Sequence, residues 1–137
     1  MTDDRIAINE EDKLDTLDEA AIRRMVETFY GRVREDEQLG PIFKAALDGH
    51  WPEHMSRMVD FWSTMLLYTK SFDGNVYGKH MAMSGITKEH FARWLGLFRQ
   101  TVTEQFRDPA AGALLGIGDR IAGSLQLGFF GDHTVRI

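Results

Sequence analysis

Four stretches of this chain repeat apolar residues every three or four positions, and none shows the two-residue alternation bounded by hairpin turns that marks strands. The first carries Ile22, Met25, Val26, Phe29, Tyr30 and Val33 behind Thr16-Leu17-Asp18-Glu19, which matches a capping box with Thr16 as the cap. The second opens at Pro52, suited to the first helical position, and lines one face with His54, Met58, Phe61, Trp62, Met65 and Leu66. Thr87 can cap the third, whose stripe is Phe91, Trp94, Leu95, Phe98, Val102 and Phe106. Asp108-Pro109 starts the fourth, with Leu114, Ile117, Ile121, Leu125 and Phe129. Glycines at 112, 116, 118 and 123 weaken that last helix in isolation, so it depends on packing. Gly40-Pro41 and Gly49 turn the chain between the first two stripes, with short helical pieces at 36–47, and the glycines at 74, 78 and 85 make 70–86 a connector. The reading is all-α: a mobile N-terminal tail over 1–15, one helical domain over 16–130, and a C-terminal tail over 131–137.

Several function classes fall away on composition. A net charge of -5 with no Lys/Arg stripe argues against non-specific nucleic-acid binding, which requires a basic surface. The absence of cysteine removes disulfides, thiolate zinc sites, iron–sulfur clusters, covalent haem attachment and cysteine nucleophiles. A metal must then be held by histidine, by carboxylates or within a prebound cofactor. The acidic start "MTDDRIAINEEDKLD" has no apolar signal core, and no apolar run approaches the ~18 residues of a membrane span. The expectation is a cytoplasmic protein, monomeric and without a membrane partner.

The aromatic and methionine-rich faces read first as core, yet three polar groups share them: the Tyr30 hydroxyl, the His54 imidazole and the Trp94 indole N–H. A buried donor left unpaired costs ~1–3 kcal/mol, so something inside should accept their hydrogen bonds. His50 at a turn, His90 in the first turn after Thr87 and His133 near the end read as solvated. His80 stands apart, in a glycine-flanked connector, and can be read as a loop histidine bonded to backbone. Zinc is a weak alternative because neither His54 nor His80 has a second ligand at the usual spacing, and hydrolase and di-iron motifs are absent. A haem accounts for both oddities, since it needs an apolar slot between helices, one axial histidine and donors on the opposite side.

"FYGRVREDEQLGPIF" (29–43), "WPEHMSRMVDFWSTMLL" (51–67), "GKHMAMSGIT" (78–87) and "HFARWLGLF" (90–98), in this order, resemble a bacterial truncated haemoglobin of the third group over about residues 20–128. Groups one and two of that family carry paired glycines, and this chain has no Gly-Gly pair. The resemblance implies a truncated globin, a two-on-two helical sandwich around haem b, with His80 as the proximal iron ligand. It implies Tyr30, His54 and Trp94 on the distal side as the residues of any catalysis, and Phe43, Met58 and Phe29 against the cofactor or its pocket. Arg57 and Lys79 are implied as partners of the haem propionates. Tyr68 stands where the family places a glycine and Val76 where it places a proline.

Such a pocket implies binding of O2, NO, CO or other small haem ligands. Its donors favour polar O2 over CO and slow its release, which suits redox work on bound O2, NO or peroxide better than delivery. Nitric-oxide dioxygenase and peroxidase-like activities, fed by an unidentified electron donor, are the enzymatic expectation. A non-enzymatic oxygen store or gas sensor is the alternative, and a cofactor-free helical interaction module is a third.

Overall fold

The computed structural model describes residues 10–70, 80 and 85–131, and all statements below concern these. A 3-10 turn at Glu10–Asp12 leads into α1 (Glu19–Glu35), α2 (Leu39–Leu47), α3 (Trp51–Leu67), α4 (Lys88–Gln105) and α5 (Ala110–Phe130). Among the described residues the sole extended pairing is one parallel bridge, Leu14 to Phe106, and no helix is long and apolar enough to cross a membrane. The chain is all-helical, as its periodicity requires.

Helix α1 packs on α2, α3 and α4, and α4 packs on α5, giving two helix pairs, α1/α3 and α4/α5, joined through α1 and α4. Every stripe residue of α1 from Ile22 to Val33 is buried. They meet Val59, Trp62, Phe98, Val102, Phe106, Leu114 and Ile117 in the main core. A smaller core of Phe91, Leu95, Ala122 and Leu125 lies toward the start of α4 and the end of α5, and Trp94 and Ile121 border both. Helix α5 can come this close to α4 because residue 118 is glycine: a Cβ there would meet the Phe98 ring at 2.7 Å.

Several boundaries differ from expectation for local reasons. Asp18, not Thr16, caps α1: its backbone is extended and its carboxylate accepts from the Ala21 N–H at 2.8 Å. Leu14 donates to the Gln105 carbonyl and accepts from Arg107 N–H, while Leu14 and Leu17 pack on the core. The end of the stretch expected to be a mobile tail is therefore tied down, and residues 1–9 lie outside the described residues. Pro52 occupies the second position of α3, which begins at Trp51. Thr87 caps α4 as expected. Helix α3 ends at Tyr68, whose φ of 59° is the left-handed conformation in which a glycine carries no Cβ penalty. Met65, expected on an inner face, is 43% exposed, whereas Val59 and Ser63 are buried.

A polar seam crosses the α1–α4 contact. Buried Arg32 donates to Thr101 Oγ1 at 2.9 Å and to Glu104 Oε2 at 2.6 Å, and Gln105 Nε2 donates to Thr28 Oγ1 at 2.9 Å. The Arg32 and Gln105 bonds connect side chains of α1 to side chains of α4, so they favour one register of the two helices over a slid one.

Candidate functional site

Between the two cores lies a cavity of about 550 Å³. Helix α1 gives it Tyr30, and α2 gives Leu39, Ile42, Phe43, Ala46 and Leu47. His50 lines it just before α3, which adds Glu53, His54, Arg57, Met58, Phe61 and Trp62, and His80 and Ile86 follow before α4 contributes His90, Phe91 and Trp94. Ile121, Ala122, Leu125 and Phe129 of α5 complete it. The lining is mostly aliphatic and aromatic with a few polar groups, the usual make-up of a small-molecule site.

The structure thus brings together Tyr30, Phe43, His54, Arg57, Met58, His80 and Trp94 of the residues singled out above. Phe29 is a correction. It does not line the cavity but lies behind it, 2% exposed, with its ring edge-on to Tyr30 at 4.9 Å, Trp94 at 5.3 Å and Phe98 at 5.3 Å. Consecutive helical residues point about 100° apart, so a helix that turns Tyr30 into the cavity turns Phe29 into the core. Lys79, Val76 and His133 lie outside the described residues.

His54 carries the strongest local signal. Its Nε2 is buried and has no hydrogen-bond partner among the described residues. Burial first, then the nearby charges of His80 and Arg57, lowers its pKa from 6.5 to about 4, so the ring is neutral at pH 7. One ring nitrogen then donates and the other accepts. Burial pushes the Tyr30 phenol far above its ordinary value of 10, so it stays protonated and can donate. The two rings meet edge to face, 4.8 Å between centroids at 90°. Trp94 is held from the other side by a stack: Phe98 lies 5.4 Å away at 10°, and Trp62 a further 5.3 Å at 17°.

Several contributors escaped the sequence reading. His50 and His90 are not simply solvated: both line the cavity, and the His90 Nδ1 accepts from the Thr87 N–H at 3.0 Å while the His90 backbone N–H donates to Thr87 Oγ1. The spacing Thr-x-x-His is a capping box with histidine in the third position, which could have flagged His90. Trp51 packs against His54 at 5.8 Å, and their three-residue spacing on one helix is the readable sign. The apolar residues Leu39, Ile42 and Ala46 join the expected Phe43 in a helical stripe along the cavity.

One carboxylate fixes the corner beneath this wall. Asp36 ends α1, accepts from the Gln38 and Leu39 N–H groups at 3.0 and 2.9 Å, and binds the Arg93 guanidinium of α4 at 3.0 and 2.5 Å. Arg93 first, and the backbone donors after it, holds the Asp36 carboxyl below its ordinary pKa despite its partial burial. Gln38 Nε2 adds a bond to Glu89 Oε1 at 3.1 Å. The cavity's α2 side is thereby referenced to α4.

No protein-family model matches the chain. Sequence comparison finds similarity to the group 3 truncated hemoglobin ctb of Campylobacter jejuni, 32% identical over 83% of this chain and 92% of the relative. Among solved structures, the crystal structure of the group III truncated hemoglobin from Campylobacter jejuni superposes with a TM-score of 0.79 at 32% identity, again covering 83% of this chain and 92% of that one. Identity at this level over most of both chains, together with two helix pairs enclosing a cavity lined by His54 and His80, shows that this chain belongs to the group III truncated haemoglobins.

Proposed function

We propose that the cavity takes haem b and that the protein binds O2 and other diatomic ligands there, for redox chemistry on O2, NO or peroxide rather than for oxygen delivery. The observation that carries this reading is the shared lining: His80, Tyr30, His54 and Trp94 border one apolar cavity, and His54 Nε2 is a buried polar atom awaiting a partner. Among the described residues no three His, Asp or Glu side chains are grouped as metal ligands, so the reading needs a metal that arrives with most of its ligand set, as in a porphyrin.

Haem, when bound, supplies an iron with a coordination position for a diatomic ligand. In this reading His80 ligates that iron, Phe43 and Met58 pack on the macrocycle, and Arg57 and Lys79 pair with its carboxylates. Phe29 acts from behind by fixing Tyr30 and Trp94. Tyr30 offers a protonated hydroxyl, and Trp94 an N–H that can only donate. Neutral His54 can donate to a ligand or accept from Tyr30. Hydrogen bonds to charged or strongly polarised acceptors are worth ~1.5–3 kcal/mol, and ~1.4 kcal/mol is a factor of ten in affinity. Donors so placed favour O2 over CO and retard O2 release. Slow release favours turnover of the held ligand, as a nitric-oxide dioxygenase or a peroxidase-like enzyme, supplied by an electron donor outside the chain.

The test is an absorption spectrum of the purified protein, oxidised, reduced and with CO, for the wild type and for His80→Ala. We expect a Soret band in the wild type and loss of stable haem retention in the variant. A colourless, helical wild type that takes up no added haemin would overturn the reading. Rapid O2 release with no reaction on adding NO to the oxygenated protein would leave an oxygen store or sensor.

A further inference from the structure

His54 has room to be more than one thing, because a histidine at a cavity rim can turn its ring inward or out to solvent. What holds it inward here is a second layer of aromatic side chains. Trp51 lies three residues earlier on α3, on the same helix face. Helical side chains lean toward the N-terminus, so the His54 ring leans over the turn that carries Trp51. The two rings sit 5.8 Å apart at 87°, and Tyr30 faces His54 from the other side at 4.8 Å and 90°. The imidazole is wedged between them. Leaving the cavity toward the start of α3 means sweeping through the space that the indole fills.

Trp51 is itself pinned. The Arg34 guanidinium, in the last turn of α1, lies over its ring at 4.4 Å, and the Phe43 ring of α2 lies nearly parallel to it at 6.4 Å and 24°. Trp51 also touches Tyr30 at 6.3 Å. It does not line the cavity, so it can act on a ligand there only through its neighbours. We infer that Trp51, clamped by Arg34, is a positioning residue that keeps the His54 imidazole in the cavity beside Tyr30. This rests on the haem-ligand reading above for its consequence, the polarity met by a bound diatomic molecule, but the positioning itself is a property of the protein alone.

Two measurements test it, with Arg34→Met, Trp51→Leu, Trp51→Phe and a His54→Leu reference. The first uses CO as the probe on the reduced, haem-loaded protein and reads the C–O stretching band, which moves with the hydrogen-bond donors around the ligand. Trp51→Leu should develop a second population at the band position of His54→Leu, and Trp51→Phe should restore the wild-type band. Arg34→Met alters an exposed side chain and keeps the fold; it should enlarge that population by up to about fivefold, the equilibrium factor of an exposed cation–π contact. The second reads the nuclear Overhauser contact between the His54 and Tyr30 rings, in the CO form or in the chain as purified if it carries no haem. It should fall by more than half in Trp51→Leu. An unchanged band and an unchanged contact in Trp51→Leu would overturn the inference. If the chain takes up no haem, the haem reading fails while the ring contact still decides the role of Trp51.

Discussion

Replacing Gly118 by alanine should destabilise this protein, although alanine is the better helix former. Two terms oppose each other. Removing a mid-helix glycine is worth about 0.5–1 kcal/mol in favour of the folded state. Against this, the new Cβ would stand 2.7 Å from Phe98 Cε2 and 3.0 Å from Cδ2, where carbon atoms prefer roughly 3.5–4.0 Å. Phe98 cannot yield by rotating, because it is fully buried, stacked between Trp94 and Trp62, and met edge-on by Phe29. Overpacking of this kind costs about 1–3 kcal/mol, leaving a net loss centred on about 1 kcal/mol and at most about 2.5 kcal/mol. Gly116→Ala is the internal control. It lies two residues away on the same helix with nothing within 4 Å of its Cβ position, and should gain about 0.5–1 kcal/mol. The difference between the two variants isolates the steric term. At about 4 °C per kcal/mol for a chain of this length, their thermal midpoints should lie about 4–12 °C apart, with Gly118→Ala the lower. Near-ultraviolet circular dichroism should change in Gly118→Ala alone, since the displaced Phe98 shifts Trp94. Equal midpoints, or Gly118→Ala above Gly116→Ala, would show that α5 accommodates the methyl group by sliding and that the Phe98 stack is not fixed.

Tyr30→Phe removes a hydroxyl and keeps the ring, so O2 dissociation should accelerate by about ten- to a hundredfold for a loss of ~1.5–3 kcal/mol, measured by stopped-flow ligand replacement; an equal effect on CO would make the role steric. Trp94→Phe combined with Tyr30→Phe should give non-additive O2 dissociation rates, with a coupling on the order of 0.5–3 kcal/mol if the two donors share one acceptor, whereas strict additivity would leave Trp94 a packing residue. Folding depresses the His54 pKa from 6.5 to about 4, so the unfolded chain binds the extra proton first and stability from this group, full above pH 6.5, is lost as pH falls toward 4. His54→Leu should therefore flatten the acid limb of the urea-midpoint profile between pH 6.5 and 4, and an unaltered limb would contradict the burial of the neutral ring.

The helices were legible because burial imposes a period, and α1 shows it most clearly: one stripe, one core, every residue buried. Helix α3 was less legible because it serves two environments. Val59 and Ser63 are buried among other helices, His54, Met58 and Phe61 face the cavity, Trp62 does both, and a single stripe drawn through them picks up Met65, which reaches neither. Local signals were ambiguous where two caps compete: Thr16 has the right motif, but Leu14 is held by Gln105 and Arg107, and it is Asp18 whose carboxylate reaches the first turn. At the site, Tyr30, His54 and Trp94 stood out because polar groups on apolar faces demand an explanation, and His80 because it lies in a glycine-flanked connector. Trp51 and His90 did not, since a tryptophan on a hydrophobic helix and a histidine in a first turn already have ordinary ones. Only the ring contact to His54 and the Thr87 hydrogen bond give them their positions.

Helix α2 has nine residues, and Leu39 alone of them is buried. Ile42, Phe43, Ala46 and Leu47 look into the cavity, and its first turn is capped from outside by Asp36. A segment this short is not stable by itself in water, so its order rests on its packing against α1 and on whatever occupies the cavity it covers. Occupancy and local folding are then a single linked equilibrium: a molecule that binds only the ordered form stabilises α2 by the logarithm of its concentration over its dissociation constant. The amides of residues 43–47 should exchange with solvent through an opening far smaller than global unfolding when the cavity is empty, and slow in proportion to ligand when it is filled. The helix thus works as a folding reporter of its own pocket, and substitutions at Asp36 or Arg93 will register as weaker binding without touching the ligand.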